Sequence, residues 1–203
     1  LFRSLPAPEL FPVAELSALA EEVLSGPGAA RALQYGPTEG DDELRDLVAA
    51  DAGATRAQVL VTTGSQQAID LLARALLDPG DVVVVEAPAY LGALQAMHGA
   101  RPSVLAVPTD EHGIDVDRLH TLLTCGLRPK LCYVVPNFSN PSGATLPLER
   151  RRALAALADR FGFLVVEDDP YGELRFGGQA ISPVQHHGTN VVRLGSASKT
   201  LAP

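Results

Sequence analysis

Hydrophobic positions along the chain follow two spacings. Short apolar runs rich in Val and Leu predict strands, and apolar residues that recur three and four positions apart predict helices. The predicted strands cover residues 59–62, 82–85, 104–107, 131–135, 163–166 and 191–194. The predicted helices cover residues 13–24, 66–77, 89–98, 116–123 and 148–161, and one more begins at Asp41 or Asp42.

The order of these elements predicts the fold class. Strands alternate with helices from residue 59 to residue 194, which is typical of an α/β domain with a mostly parallel sheet and helices on both of its faces. We expect the apolar helix residues to face the core, among them Leu44, Leu47, Val48, Ile69, Leu72 and Leu76. Sheets of this kind bind ligands at the carboxyl ends of their strands, so the loops that follow the strands are the candidate site.

Composition narrows the class of protein. The 203 residues are 46% hydrophobic and 20% charged, which suits one large globular domain. The net charge of -8 argues against a nucleic-acid partner for this segment. No apolar run approaches the roughly 20 residues of a membrane helix, so we expect no membrane partner.

Cysteine and histidine positions predict no metal site. Cys125 and Cys132 fit no ligand spacing, and we expect reduced, packed thiols in a cytoplasmic protein, with a disulfide between them as the less favoured alternative. His186 and His187 have no acid or Cys nearby in a ligand pattern, so we expect them at the surface.

Three of the predicted strands are followed by loops that carry candidate ligand contacts. Gly64, Ser65 and Gln66 place backbone N–H groups at a helix N-terminus, which favours a phosphate, although Ser65 could be a simple N-cap. Tyr90 can lie against an aromatic ring or pack in the core. Asn140 precedes a proline, which restricts its backbone and fixes the direction of its amide, although the loop could be a plain surface turn.

An acidic run follows the strand at residues 163–166. Glu167, Asp168 and Asp169 repel one another unless a positive group lies among them. A bound cation or a protonated ring nitrogen would supply that charge. A solvated loop is the alternative.

A lysine follows the last strand, together with Ser196 and Ser198. Lysine forms Schiff bases with carbonyl compounds, most readily when its pKa is lowered. A surface position is the alternative for Lys199, as for any lysine. Five such signals at five strand ends together predict one ligand site.

These loops resemble those of pyridoxal-phosphate (PLP) enzymes of fold type I, the class I and II aminotransferases. The matching strings are Gly-Ser-Gln-Gln from Gly64, Glu-Asp-Asp-Pro-Tyr from Glu167 and Ser-Ala-Ser-Lys from Ser196. The resemblance covers nearly the whole chain. It is strongest to the 2-aminoadipate, aromatic and branched-chain aminotransferases and to the aminotransferase-like domains of MocR-type regulators.

The resemblance implies three catalytic residues. Lys199 would hold PLP as a Schiff base and move a proton at the substrate α-carbon. Asp168 would pair with the pyridine nitrogen; it is preferred to Asp169 because its spacing to Tyr171 matches the family and successive strand positions point to opposite sides. Tyr171 and Asn140 would hydrogen-bond the 3-oxygen of the ring.

The resemblance also implies the remaining cofactor contacts and a homodimer. Tyr90 would stack on the ring. The phosphate would be held by Gly64, Ser65, Gln66, Ser196 and Ser198. Tyr35 would reach the phosphate of a neighbouring subunit, so that a homodimer shares its active sites.

The implied function is the transfer of an amino group between an L-amino acid and a 2-oxo acid. By the same resemblance, residues 1–30 form an N-terminal segment, residues 31–203 form a truncated PLP-binding large domain, and a C-terminal small domain is absent. We therefore expect both ends to be cuts through a longer chain, and the fragment alone to have little or no activity. The alternatives are the effector-binding domain of a MocR-type transcription regulator and a PLP enzyme that catalyses another reaction. A dinucleotide-binding fold is disfavoured because no strand is followed by GxGxxG.

Overall fold

The computed structural model describes residues 6–202. The first five residues of the predicted segment 1–30, and residue 203, lie outside the described part. Contacts within the chain divide it into two units: residues 1–63 with 201–203, and residues 64–200.

Within its described residues, the smaller unit contains three α-helices: α1 (Val13–Ser25), α2 (Ala29–Ala32) and α3 (Asp42–Ala52). Asp41 is the N-cap of α3, since its carboxylate accepts hydrogen bonds from the backbone N–H groups of Glu43 at 3.0 Å and Leu44 at 3.3 Å. The predicted start of this helix is therefore confirmed. The bounds of α1 agree with the prediction to within one residue.

Two predictions for the smaller unit are wrong. Residues 59–62 are not part of a sheet, because the backbone N–H of Val61 donates to the carbonyl of Glu39 at 2.9 Å rather than to a neighbouring strand. The expected inner face of α3 is exposed, with Leu47 71% accessible and Leu44 and Val48 also exposed. Periodicity reveals an apolar face, but it does not reveal whether this chain supplies the surface that covers it.

The larger unit is built on a six-stranded sheet in the order β3-β2-β1-β4-β5-β6. All neighbouring pairs are parallel except β2 and β3, which are antiparallel. This topology confirms the α/β prediction, and only the two-residue β3 was too short for the pattern to show. The strands are β1 (Val82–Ala87), β2 (Ser103–Asp110), β3 (Gly113–Ile114), β4 (Leu131–Val134), β5 (Leu164–Asp168) and β6 (Val191–Leu194).

Helices cover both faces of this sheet: α4 (Ser65–Leu76), α5 (Leu91–His98), α6 (Val116–Thr124) and α7 (Leu148–Phe161). Side chains alternate between two cores along each strand. On β4, Cys132 joins the core with α6 and α7, and Tyr133 joins the core with α4 and α5. Ile69 of α4 is buried and Leu72 half-buried as expected, whereas Leu76 is exposed.

The cysteine and histidine expectations have mixed outcomes. Both thiols are free, and Cys132 is buried, but Cys125 is exposed rather than packed. His186 is exposed and His187 is half-buried. Across residues 6–202, no helix is long and apolar enough to cross a membrane.

Candidate functional site

The sheet register brings three predicted loops to one edge. Asp168, the last residue of β5, pairs with Leu194, the last residue of β6. The preceding Glu167 pairs with Val134, the last residue of β4. The loops after β4 and β6 therefore start beside Asp168, at the carboxyl edge where parallel sheets bind ligands.

One carboxylate oxygen of Asp168 has no hydrogen-bond partner among residues 6–202. Its side chain is 3% exposed, and the hydroxyl of Tyr133 donates to Oδ2 at 2.6 Å. The other oxygen, Oδ1, is buried and accepts no hydrogen bond from the described residues. Burial raises the pKa of Asp168 to about 6, although the Tyr133 hydrogen bond lowers it and the charge of Asp169 raises it further. A buried acceptor of this kind suits a cationic N–H donor.

The two neighbouring acids use both of their oxygens on the protein itself. Glu167 accepts the backbone N–H groups of Val184 at 2.9 Å and Gln185 at 3.0 Å. Asp169 accepts from the Asn137 amide at 2.9 Å and forms a 3.3 Å ion pair with Arg193. All three acids are buried, so a solvated loop is excluded. Among them, the oxygen that is left for a ligand belongs to Asp168.

The N-terminus of α4 lies at the start of the larger unit. Gly64 is its N-cap, with φ of 93°, and no side chain caps the helix. Ser65 is the first helical residue, so the N-cap interpretation of Ser65 is wrong. Helix N-termini attract anions through their exposed N–H groups and dipole. The side chain of Gln66 donates to the carbonyl of Gly92 at 2.7 Å, which ties α4 to α5.

Tyr90 and Tyr171 lie on the same face of the sheet. Both rings are half-buried and pack against the core cluster that contains Tyr133. The Tyr90 ring lies over Gly92, where any Cβ would collide with it. Both alternatives that the sequence leaves open for Tyr90, a ligand contact and a core residue, are compatible with this position, because the ring is partly in the core and partly accessible.

The loop after β4 carries the half-buried Asn140. The loop closes on itself, because the Ser139 N–H donates to the Ala144 carbonyl at 2.8 Å and the Phe138 N–H donates to the Thr145 hydroxyl at 3.2 Å. Asn140 therefore lies on a folded loop at the site edge, rather than on a plain surface turn.

Arg151 is the largest feature that the sequence did not reveal. It is 0% exposed and donates to the carbonyls of Leu146 at 2.8 Å and Pro136 at 3.0 Å, and to the Asn137 amide oxygen at 2.8 Å. Longer contacts reach the carbonyls of Ile181 and Ser182. It holds the loop of Asn140 to α7. The sequence has three consecutive arginines at residues 150–152, and it does not indicate which of them is buried.

Glu86 supports the same loop from β1. It is 4% exposed, and its Oε2 accepts the Val135 N–H at 3.0 Å and the Ser139 hydroxyl at 3.3 Å. Burial raises the pKa of Glu86 from 4.5 to about 7 against the effect of these hydrogen bonds. The sequence signal for this buried acid is its position directly after four consecutive valines, residues 82–85.

Replacing Glu86 with Gln should remove a pH-dependent cost of folding. Because the folded pKa of Glu86 lies above its unfolded value, its contribution is most favourable below pH 4.5 and is lost as pH rises through about 7. Gln keeps an acceptor for the Val135 N–H without the buried charge. Urea unfolding should show the variant gaining up to about 3 kcal/mol relative to wild type between pH 5 and pH 8. An identical pH dependence in the two proteins would contradict this.

The loop after β6 places Lys199 in a single turn of 3₁₀ helix (Ala197–Lys199). The Ser196 hydroxyl oxygen accepts the backbone N–H of Ser198 at 3.2 Å, which tightens the turn. Lys199 is half-buried. The chain has two lysines, and the other, Lys130, is exposed and precedes β4 at the opposite edge of the sheet. Lys199 is thus the lysine at the site edge.

Tyr35 is the one predicted site residue outside the larger unit. It belongs to the smaller unit, and its side chain is 99% exposed. Its backbone N–H donates to the Gln34 side chain at 2.9 Å.

The chain is similar to known proteins over nearly its whole length. The family model for aminotransferase class I and II matches residues 18–202. The chain belongs to this family. It is 42% identical over 211 residues to aromatic-amino-acid aminotransferase 1 of Thermococcus litoralis, covering 98% of the chain and 50% of that protein.

A solved structure and a regulator extend the comparison. The alpha-aminoadipate aminotransferase LysN of Thermus thermophilus, solved with N-(5'-phosphopyridoxyl)-L-leucine, superposes with a TM-score of 0.93 at 43% identity, over 99% of this chain and 52% of that one. An HTH-type transcriptional regulator of Escherichia coli, YdcR, is 35% identical over 98% of the chain and 44% of its own length. The chain thus spans about half the length of these relatives.

Proposed function

We propose that the protein that contains this chain is a PLP-dependent aminotransferase that moves an amino group between an L-amino acid and a 2-oxo acid. The observation that carries the proposal is Oδ1 of buried Asp168, which has no hydrogen-bond partner in the described part of the chain and lies beside the loop of Lys199. A carboxylate kept from water and lacking a donor suits a protonated pyridine nitrogen. The relative that was solved with a phosphopyridoxyl amino acid supports the same cofactor.

The other cofactor contacts follow from this placement. Asp168 would hold the ring nitrogen, and Tyr90 and Tyr171 lie on the same face of the sheet as Tyr133, its hydrogen-bond partner. Asn140 would approach from the neighbouring loop. The phosphate would be held by Gly64, Ser65, Gln66, Ser196 and Ser198, which supply the N-terminus of α4 and the hydroxyl-rich turn after β6.

In this proposal, Lys199 and Asp168 are the main catalytic residues of the chain. Bound PLP supplies an aldehyde carbon and a ring that withdraws electrons from the substrate α-carbon. Lys199 supplies a primary amine that can attach the cofactor and can take up or return a proton at that α-carbon. Asp168 would hold its carboxylate toward the ring nitrogen and so favour the protonated form of that nitrogen. Tyr171 would orient the ring through its 3-oxygen.

The assembly and domain predictions belong to the same proposal. Exposed Tyr35 suits a contact with a second subunit, as a homodimer with shared sites requires. The division into a segment at 1–30 and a cofactor-binding domain from 31 onward stays a prediction, as does the cytoplasmic location drawn from two free cysteines.

An effector-binding domain of a MocR-type regulator is the second candidate. The 35% identity to an HTH-type regulator over nearly the whole chain favours it. The same site would then bind PLP and an amino acid without turnover. The difference lies in what the full protein does after the amino acid binds.

One assay separates the two functions. The full-length protein with PLP is mixed with an aromatic amino acid or 2-aminoadipate and with a 2-oxo acid, and products are separated by chromatography. Stoichiometric formation of the new amino acid and the new 2-oxo acid would support the aminotransferase. Release of CO2 or ammonia instead would overturn it, and amino-acid-dependent DNA binding without turnover would favour the regulator.

A further inference from the structure

Tyr133 stands out among buried polar side chains that no proposed catalytic step uses. It lies within the buried strand β4 and is 1% exposed. Its hydroxyl donates a hydrogen bond to Oδ2 of Asp168, with an oxygen–oxygen distance of 2.6 Å. We infer that Tyr133 is a positioning residue of the proposed cofactor site, whose hydroxyl orients Asp168 so that Oδ1 faces a protonated ring nitrogen. This inference rests on the proposed function.

The geometry leaves the Asp168 carboxylate little freedom. An aspartate side chain turns readily about its last bond, which has broad, roughly two-fold preferences. The Tyr133 hydroxyl has one proton to give, and it goes to Oδ2. Once that oxygen is held by a short charge-assisted hydrogen bond, the direction of Oδ1 is fixed as well.

The position of the Tyr133 hydroxyl is itself fixed by packing. The ring joins the core between the sheet and helices α4 and α5, with Ile69, Met97 and Val166 in the same cluster. Burial, together with the nearby charge of Asp168, raises the pKa of Tyr133 far above its ordinary value. The phenol therefore stays protonated and acts as a donor at every working pH.

The hydrogen bond also sets the charge of Asp168. Burial favours the neutral carboxyl and Asp169 adds to that effect, whereas the Tyr133 hydrogen bond opposes both. The other titratable groups that act on Tyr133 are Tyr90 and Glu86, and both also disfavour a charged phenol. Without the hydroxyl, Asp168 would become protonated at a higher pH and would be a poorer partner for a pyridinium.

The test uses Tyr133→Phe in the full-length protein loaded with PLP labelled with ¹⁵N in its ring. The ring-nitrogen chemical shift is followed by NMR from pH 5 to pH 9. Because a carboxylate that has lost the Tyr133 hydrogen bond holds a proton more tightly, the variant should show a smaller pyridinium fraction than wild type near neutral pH, and it should bind PLP about 10-fold more weakly. A pyridinium fraction and a PLP dissociation constant equal to those of wild type would overturn the inference.

Thr189→Val is the matched control, because it removes another hydroxyl-to-carboxylate hydrogen bond, from Thr189 to Asp159 at 2.9 Å, before the start of β6. It should leave the nitrogen signal unchanged; an equal shift in both variants would mean that general destabilisation is the cause and would overturn the inference. Should Tyr133→Phe not fold, 3-fluorotyrosine placed at position 133 provides the second variant. Its more acidic phenol is a stronger donor to Asp168 and should raise the pyridinium fraction, opposite to the effect of Tyr133→Phe, and an unchanged ring-nitrogen signal would overturn the inference.

The controls also separate this inference from the proposed function. If wild-type protein yields no bound ring-nitrogen signal at all, the proposed function fails. If wild type gives a pyridinium signal and both Tyr133 variants reproduce it, the role of Tyr133 fails while the proposed function stands.

Discussion

Replacing Lys199 with Ala should reduce transamination by the full-length protein at least about 10³-fold. The loss combines the amine that attaches PLP with the group that moves the α-proton, and general acid–base catalysis is by itself worth about 10²–10⁴-fold. Single-turnover reaction of the PLP-loaded protein with an amino acid, followed by absorbance, measures the rate directly.

Lys130→Ala provides the matched control for this experiment. Lys130 is the other lysine of the chain, exposed at the opposite edge of the sheet. Its removal should leave the rate within about twofold of wild type, as is usual for a surface substitution away from a site. Comparable losses in both variants, or turnover that survives in Lys199→Ala, would remove Lys199 from the proposed mechanism.

Replacing Arg151 with Met should destabilise the protein by about 3–5 kcal/mol, the usual cost of breaking a buried charged network. The change deletes a fully buried guanidinium and leaves three strong acceptors, on Leu146, Pro136 and Asn137, without their donor. Equilibrium unfolding in urea should show a lower midpoint with little change in slope.

The neighbouring Arg152 gives a control with the same chemistry. It is exposed, so Arg152→Met should change the free energy of unfolding by no more than about 0.5 kcal/mol. A loss below about 1 kcal/mol for Arg151→Met, or an equal loss for the two variants, would contradict the structural role of Arg151.

The sheet of the larger unit could be predicted because its strands are unbroken apolar runs separated by amphipathic helices. The run at residues 82–85 became β1 (Val82–Ala87), buried on both faces, and the predicted strand at 191–194 matches β6. The prediction at 59–62 failed for a different reason. An apolar run shows that a segment can pair, but pairing needs a neighbouring strand, and the sequence does not say where that neighbour is.

The candidate site was predictable where chemistry and strand position coincide. Side chains alternate along β5, so Asp168 and Glu167 lie on opposite faces of the sheet. Asp168 keeps an oxygen that accepts no hydrogen bond from the described residues, whereas Glu167 accepts backbone N–H groups. Tyr133 and Arg151 could not be predicted in the same way. Their side-chain partners, Asp168 and Asn137, lie 35 and 14 residues away in sequence, and a buried Tyr or Arg carries no local signal of such a partner.

Borohydride reduction followed by peptide mass mapping tests the central claim most directly. The full-length protein is incubated with PLP, reduced, digested and analysed for a phosphopyridoxyl group on lysine. We predict that the group lies on Lys199, that Lys130 is unmodified, and that Lys199→Ala carries no modification within this chain. A phosphopyridoxyl group on Lys130, or none on either lysine in protein that binds PLP, would contradict the account.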